Sequence, residues 1–480
     1  MFLKNNRRCL LTLLFLVFSF IWVTPHAQLK ELKKLPNLMG VAWAEFQNSG
    51  DTLKDCQWNA WQNFKREGSP TIHGEQMSGK ACDHWNRYAE DIKLVKDLGF
   101  NACRFSLDWS MIEPEQGQFN QAALDHYHAE IDEMLKHNIT PMVTMHHFVH
   151  PQWFEELGAF EKLENITIFQ SFCVKIFQEF NGKVKLWCTI NEPAPFIFQG
   201  YINKAFPPGI CDLQKAGEVL RNMLIAHVQV YRTLKAMPGG QQAHIGLVHQ
   251  YLTFEPYNTW NIIEAAPTFF LNYVFNDVIL NFLKTGEFSF KIPWLVPVVA
   301  NVSVTDDVHI LFSKLELDRQ PYFDFIGLNF YSRVVIQQLA WNVLSEGAVV
   351  PSCKDGEVMT DMPYPMYAQG LYEAICNVAQ FGVPIYITEN GIADAKDDRR
   401  EIFFRDYLSA LSKALEDGYD VRGWFYWSLM DNFEWNDGFT PRFGLYHVDF
   451  DTQARTLRPS VAWLQSLLQQ RREIREISAP

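Results

Sequence analysis

Eight short apolar runs, rich in β-branched and aromatic residues, alternate with longer amphipathic stretches along almost the whole chain. They occupy 38–44, 100–106, 139–145, 184–190, 245–250, 324–329, 384–388 and 422–427. Between them, apolar residues recur at helical spacing: Tyr88, Ile92, Val95 and Leu98; Tyr127, Ile131, Met134 and Leu135; Phe172, Ile176 and Phe180; Phe404, Leu408, Leu411 and Leu415. Strands that alternate with helices pair in parallel, and eight such units predict a closed (β/α)₈ barrel with an outer ring of helices. The length of 480 residues fits one barrel of this kind, which takes about 250 residues and reaches 400 or more with insertions. No linker, repeat or low-complexity tract follows Gln28, so 28–480 reads as one domain. The connections after strands 1, 5 and 6 are long, and in a barrel such loops shape the mouth at the C-terminal face.

The N-terminus has a different character. Lys4, Arg7 and Arg8 precede an apolar run over 9–23, followed by Thr24-Pro25-His26-Ala27. A charged head, a short apolar middle and a small residue predict a secretory signal over 1–27, cleaved after Ala27, and hence an exported protein. Pro25 fits a cleavage site poorly, so an uncleaved membrane anchor is the alternative. A net charge of −13 argues against nucleic acid or an anionic membrane as partner. Cys103 and Cys188 fall inside predicted strands, where a thiol packs as a small apolar group. Cys56 and Cys82, in one long loop, are the pairing worth considering for a disulfide. Asn138, Asn165 and Asn301 open N-glycosylation patterns, which matter in a eukaryotic secretory route.

Polar residues gather at the C-terminal ends of the predicted strands. Strand 1 runs into Gln47, strand 2 into Arg104, strand 3 into His146-His147 and strand 4 into Asn191-Glu192. Strand 6 ends at Asn329 and Tyr331, strand 7 at Glu389-Asn390, and strand 8 at Trp427. A barrel brings all these ends to one face whatever their distance in sequence. Any one of them alone reads equally well as a loop or helix-capping residue, and either glutamate alone as an acidic rim residue. Together they describe a site. Two carboxylates that follow apolar strands into one mouth are the equipment of glycoside hydrolysis, in which one is protonated and the other ionised. Arg104 is placed to keep Glu389 ionised, because a nearby cation favours the charged form.

Thr189-Ile190-Asn191-Glu192-Pro193 and Ile387-Thr388-Glu389-Asn390-Gly391 resemble the two signature segments of glycoside hydrolase family 1, the β-glucosidase family. The likeness runs from Leu38 to about Leu468. It takes in His84-Trp85-Asn86-Arg87-Tyr88, Arg104-Phe105-Ser106, Asp324 to Tyr331, Trp427 to Trp435 and Arg442-Phe443-Gly444-Leu445. The resemblance implies a retaining exo-β-glycosidase without cofactor or metal, acting on a small-molecule or oligosaccharide β-glycoside. It implies Glu192 as acid/base and Glu389 as nucleophile, with carboxyl groups about 5–5.5 Å apart. It further implies that Gln47, His147, Asn191, Glu434 and Trp435 hold the sugar hydroxyls and that Trp427 forms a stacking floor. Arg104, Asn329 and Tyr331 would orient Glu389, and His146 would be structural.

The sequence departs from the family pattern at Ser49, where Glu is usual, at Phe148, where Trp is commoner, and at Phe330, where Tyr is usual. None removes a catalytic group, but Phe148 alters one wall of the sugar pocket. A 6-phosphoglycosidase is disfavoured because the carboxylate of Glu434 would repel a phosphate. A transglycosidase using the same residues and a catalytically weak glycan-binding relative are the other readings. Metal-assisted hydrolysis would need a third ligand beside His146 and His147. Phe196, Phe198, Tyr201, Tyr257 and Trp260, together with the loops 251–322 and 332–365, either line an outer aglycone site or pack against themselves.

Overall fold

The computed structural model describes residue 32 and residues 34–50, 55–292, 302–305, 322–337 and 350–478. All eight predicted strands form within two residues of their expected bounds. They are β1 (Leu38–Trp43), β2 (Ala102–Ser106), β3 (Thr140–His146), β4 (Leu186–Asn191), β5 (His244–Gln250), β6 (Phe325–Asn329), β7 (Ile385–Asn390) and β8 (Val421–Trp427). They close in the order β1-β8-β7-β6-β5-β4-β3-β2, every pair parallel. Parallel strands covered on both faces need apolar residues at nearly every position, which is why they appear in the sequence as continuous runs.

The barrel interior is packed, not hollow. Ala42, Ala102 and Cys188 share one buried cluster with the larger Met142, Val248, Phe325, Tyr386, Phe425, Trp427 and Phe443. Small against large is how a ring of inward residues fills at crystal-like density. Glycine is required where strands crowd: a Cβ on Gly391 would stand 2.0 Å from the Trp427 carbonyl oxygen. The glycine that ends Ile-Thr-Glu-Asn-Gly therefore lets β7 and β8 approach where Glu389 emerges.

The main helices are α1 (His84–Leu98), α2 (Gln121–Lys136), α3 (Ile166–Phe180), α4 (Leu213–Ala236), α5 (Ile262–Asn272), α6 (Val278–Thr285), α7 (Ala368–Val378), α8 (Arg400–Glu416) and α9 (Ala462–Ser478). The expected stripes are buried, except that Tyr88 and Leu415 are half-buried and Leu135 is exposed, its neighbour Met134 taking the core-facing position in α2. A π-helical turn, Tyr273–Asp277, joins α5 to α6, so the predicted loop 251–322 carries structure of its own. Between α1 and α2, the His84 ring takes Asp91 at 2.8 Å and Glu130 at 3.3 Å. Although burial opposes its charge, these two carboxylates raise His84 to about 10.

Beyond β5 and β6, Thr253–Pro256 and Arg333–Gln337 pair in parallel, and Val350–Ser352 adds antiparallel to the second. This small sheet stands on the C-terminal face. Arg333 locks it, donating to Glu255 at 2.8 and 2.9 Å and to Glu357, with its guanidinium 3.9 Å from the centre of the Tyr367 ring.

A compact unit begins at Lys34. The segment 1–27 expected as a signal or anchor lies outside the described residues, as does Asn301. Cys103 and Cys188 are buried as expected, and the disulfide considered between Cys56 and Cys82 does not form. Asn165 is buried and donates to the carbonyls of Leu157 and Ala159, so its amide is committed to the fold.

Candidate active site

The strand ends converge as the barrel dictates. Glu389 lies within β7, where the pairing to both neighbours shifts register. Such irregularities re-aim a side chain at the rim of a sheet. Its two oxygens are both held: Arg104 Nη1 donates to Oε1 at 2.5 Å and the Tyr331 hydroxyl to Oε2 at 2.7 Å. Arg104 is itself fixed, with Nε on Thr144 Oγ1 at 3.1 Å and Nη2 on Asn191 Oδ1 at 2.6 Å. A buried guanidinium with every nitrogen bonded is a rigid, permanent charge.

Glu192 follows β4 directly, at the N-cap of the helix Pro193–Tyr201, with φ of 45°. A non-glycine residue held in left-handed backbone costs of order 1–3 kcal/mol and persists where the surroundings impose it. Its carboxyl does not cap the helix; Oε1 accepts instead from Asn329 Nδ2 at 2.7 Å. Burial pushes Glu192 well above the usual carboxylic range, the charge of Glu389 pushes further, and the Asn329 bond opposes both. Two carboxyls in one mouth thus differ in environment: one beside a cation, one desolvated beside an amide.

Asn191 links the two. Its Oδ1 accepts from Arg104 and from Asn329 at 3.2 Å, which fixes the amide so that Nδ2 faces His147 Nε2 at 3.2 Å. That nitrogen of His147 is then the acceptor, leaving the proton on Nδ1. Burial, then Arg104, hold His147 well below its ordinary value, so the ring is neutral. It lies nearly parallel to Trp427 and Trp435, at 5.8 and 6.1 Å between centroids. His146 points the other way, as alternation along a strand requires, and is buried against Phe160, Phe169 and Phe196.

Gln47 donates to Glu434 Oε2 at 3.2 Å and to Asn432 Oδ1 at 3.3 Å, while its own Oε1 is buried without a partner among the described residues. A buried acceptor with no donor is costly in a core and expected where a ligand supplies the donor. Glu434 is raised to about 8 by burial, by Asp437 and by Glu389. Trp435, with φ of 49°, is braced by Phe46, parallel at 6.0 Å, and by Trp58 at 4.7 Å. Phe148, also in left-handed backbone, packs edge-on against Trp435 at 5.4 Å.

The structure therefore brings together all eleven residues singled out in the sequence, with one difference of partner. Asn329, expected to orient Glu389, bonds Glu192, and its side chain meets β7 by accepting from Thr388 Oγ1 at 2.7 Å. The register shift after Leu328 sets Asn329 opposite Glu389 on the backbone, yet its side chain turns to Asn191 and Glu192. Ser49 turns away and donates to the Glu45 carbonyl. Thr144, Thr388 and Asn432 were not anticipated; the first two lie within predicted strands, where a threonine reads as ordinary strand composition. Tyr364 was also missed. Burial raises its hydroxyl and Glu434 and Glu192 are among the nearby charges that add to this, yet no motif marks it. Of the proposed outer aromatics, Phe196 and Tyr201 are buried in packing, Phe198 packs on Phe275, and Trp260 lies open to solvent.

The profile of glycosyl hydrolase family 1 matches residues 33–473. The chain is 30% identical over 452 residues to beta-glucosidase A of Thermotoga maritima, covering 91% of this chain and 98% of that one. It is 32% identical over 475 residues to a 6-phospho-beta-galactosidase of Staphylococcus aureus, covering 91% and 98%. Among solved structures, a family 1 β-glucosidase from Thermotoga maritima superposes with a TM-score of 0.78 at 28% identity, over 92% of this chain and 99% of that one.

Proposed function

Since the chain belongs to glycosyl hydrolase family 1, an O-glycosyl hydrolase family on a (β/α)₈ barrel, we propose that it is a retaining exo-β-glycosidase of unphosphorylated sugars, β-glucosides first among them. The observation that carries this is the contrast between its two carboxyls. Glu389 meets Arg104 and Tyr331, which suits a nucleophile; Glu192 is buried and holds its proton more tightly than an ordinary carboxyl, which suits an acid.

The roles follow in two steps. Glu389 attacks the anomeric carbon as Glu192 gives its proton to the departing glycosidic oxygen, leaving a glycosyl ester on Glu389. Ester formation removes the negative charge of Glu389, the second largest of the forces raising Glu192. Glu192 is then a stronger acid, present as carboxylate, and takes a proton from the water that attacks the ester. One residue serves both steps because the other's charge comes and goes.

Gln47 Oε1, Glu434, Asn191 and the Trp427 and Trp435 rings are arranged for a terminal sugar with free hydroxyls. A phosphorylated glycone fits poorly because Arg104, the cation that the described residues bring to the two carboxyls, is committed to Glu389 and Asn191. The same reading extends to location: the basic head and apolar run of 1–27 support export or membrane anchorage, which N-terminal sequencing of the mature chain decides.

The decisive experiment is Glu389→Gly. Hydrolysis of an aryl β-glucoside should disappear, and azide should restore turnover with a glycosyl azide of inverted configuration. A variant that retains hydrolysis, or azide rescue with retained configuration, would show that Glu389 is not the nucleophile.

A further inference from the structure

Helix α5 is amphipathic in the reverse sense. Glu264, Thr268 and Leu271, at i, i+4 and i+7, are buried, whereas Ile262, Ala266 and Phe269 form the stripe that faces solvent. Ile262 is 82% exposed and Phe269 72%, with Trp260 just before the helix at 91%. A helix lying on a protein in water presents its polar stripe outward. Here the outward stripe is the more apolar one.

The arrangement is firmly built. Asn261 caps α5, accepting from Ile263 N at 3.1 Å, and Asn272 clamps the rim strand, accepting from Phe254 N at 2.9 Å and donating to its carbonyl at 2.7 Å. The one charged residue of 257–272 is Glu264, turned inward to accept from Asn258 N at 2.8 Å. The exposed face therefore carries amides, a threonine and large apolar groups, and no charge.

Its position ties it to the site. The clamped strand Thr253–Pro256 begins three residues after β5 ends, and its partner Arg333–Gln337 begins two residues after Tyr331. The apolar face thus stands on the same rim as the catalytic mouth. Taking full aromatic and aliphatic side chains at about 150–250 Å², Trp260, Ile262, Ile263 and Phe269 expose roughly 600 Å². That reaches the upper limit of patches on ordinary monomers, which are often functional, and falls short of the ~800 Å² per partner of a stable dimer.

We propose that this face rests on an uncharged lipid surface and that the substrate is a β-glycoside whose aglycone is a membrane lipid. The inference rests on the glycosidase reading above and names its substrate class. A Trp beside amides, followed by aliphatic and aromatic side chains, is the chemistry of a headgroup boundary. The net charge of −13 disfavours an anionic surface and leaves a zwitterionic one. Of the two readings of the basic and apolar N-terminal sequence, a signal carries the chain across a membrane and an anchor holds it there. With the rim on the bilayer, a sugar headgroup enters the mouth while its lipid stays in the membrane.

The test uses the full chain and the triple variant Trp260→Ser, Ile262→Asn, Phe269→Ser, all exposed positions outside the catalytic machinery. Each is assayed on a soluble aryl β-glucoside and on a β-glucosyl diacylglycerol in phosphatidylcholine vesicles. The variant should keep aryl kcat/KM within about twofold and lose about tenfold or more on vesicles, as expected for loss of a large part of the buried apolar area. Equal vesicle rates for the two proteins overturn the proposal, as does a wild-type chain that cleaves the aryl glycoside but not the lipid. A dimer in solution that the variant dissociates, with vesicle rates unchanged, assigns the face to a second copy and also overturns it. If the wild-type chain cleaves neither substrate, the glycosidase reading itself fails.

Discussion

Replacing Glu434 by Gln should make the protein more stable at alkaline pH and leave it almost unchanged near pH 5. In the folded protein Glu434 is raised from 4.5 to about 8, first by burial and then by the charges of Asp437 and Glu389. A carboxyl raised on folding binds its proton more tightly in the native state. Stability is therefore fully present below the unfolded value near 4.5 and is lost as pH rises through about 8. A shift of this size corresponds to at most about 5 kcal/mol, and local relaxation reduces it to about 2–5 kcal/mol. Gln keeps the shape and cannot ionise, so this loss is absent from the variant. For a chain of this length, unfolding entropy is of order 1 kcal/mol per degree, so the melting temperatures should separate by about 2–5 °C at pH 9. The assay is calorimetric unfolding of both proteins from pH 5 to pH 9. A separation that stays constant over that range, or a wild type that gains on the variant as pH rises, would refute the reasoning. Activity should move the other way, with kcat/KM falling about 100-fold, since an acidic group costly to the fold is one that the glycone requires.

Three further outcomes follow from the contacts of the two carboxyls. Glu192→Ala should slow glycosides with poor leaving groups by about 10³-fold or more, leave activated aryl glycosides within about tenfold in the first step, and erase the alkaline limb of the rate profile. Asn329→Ala removes the donor that opposes the raising of Glu192, so the alkaline limb should shift to higher pH, with kcat down about tenfold; an unmoved limb would mean that the Asn329–Glu192 bond does not set acidity. Tyr331→Phe deprives Glu389 Oε2 of its donor and should lower kcat about 10–100-fold with little change in KM, measured by steady-state kinetics.

The barrel was legible in the sequence because parallel strands buried on both faces must be apolar throughout, and their spacing counts the units. The site was legible for the same reason: in a closed barrel, the residue that ends a strand is on the catalytic face. Gln47, Arg104, Asn191, Glu192, Asn329 and Glu389 could therefore be placed together although they span more than three hundred positions. The glycine after Glu389-Asn390 and the threonine before them read as motif letters, yet the structure gives each a task in holding β7 against its neighbours.

Partners could not be read in this way. That Asn329 bonds Glu192 and not Glu389, its partner across the strands, depends on where its side chain turns once the barrel closes, which no local pattern encodes. The neutral state of His147 and the high value of Glu434 arise from desolvation by residues distant in sequence. The outward apolar stripe of α5 was invisible as well, because periodicity reveals that a helix has an apolar stripe but not whether that stripe faces the core. The sequence alone determined the barrel and the identity of the groups at its mouth, since both are consequences of strand order. Tertiary structure decided which group donates to which, which carboxyl keeps its proton and which surface is left uncovered, since these depend on distances and burial that exist only once the chain has closed.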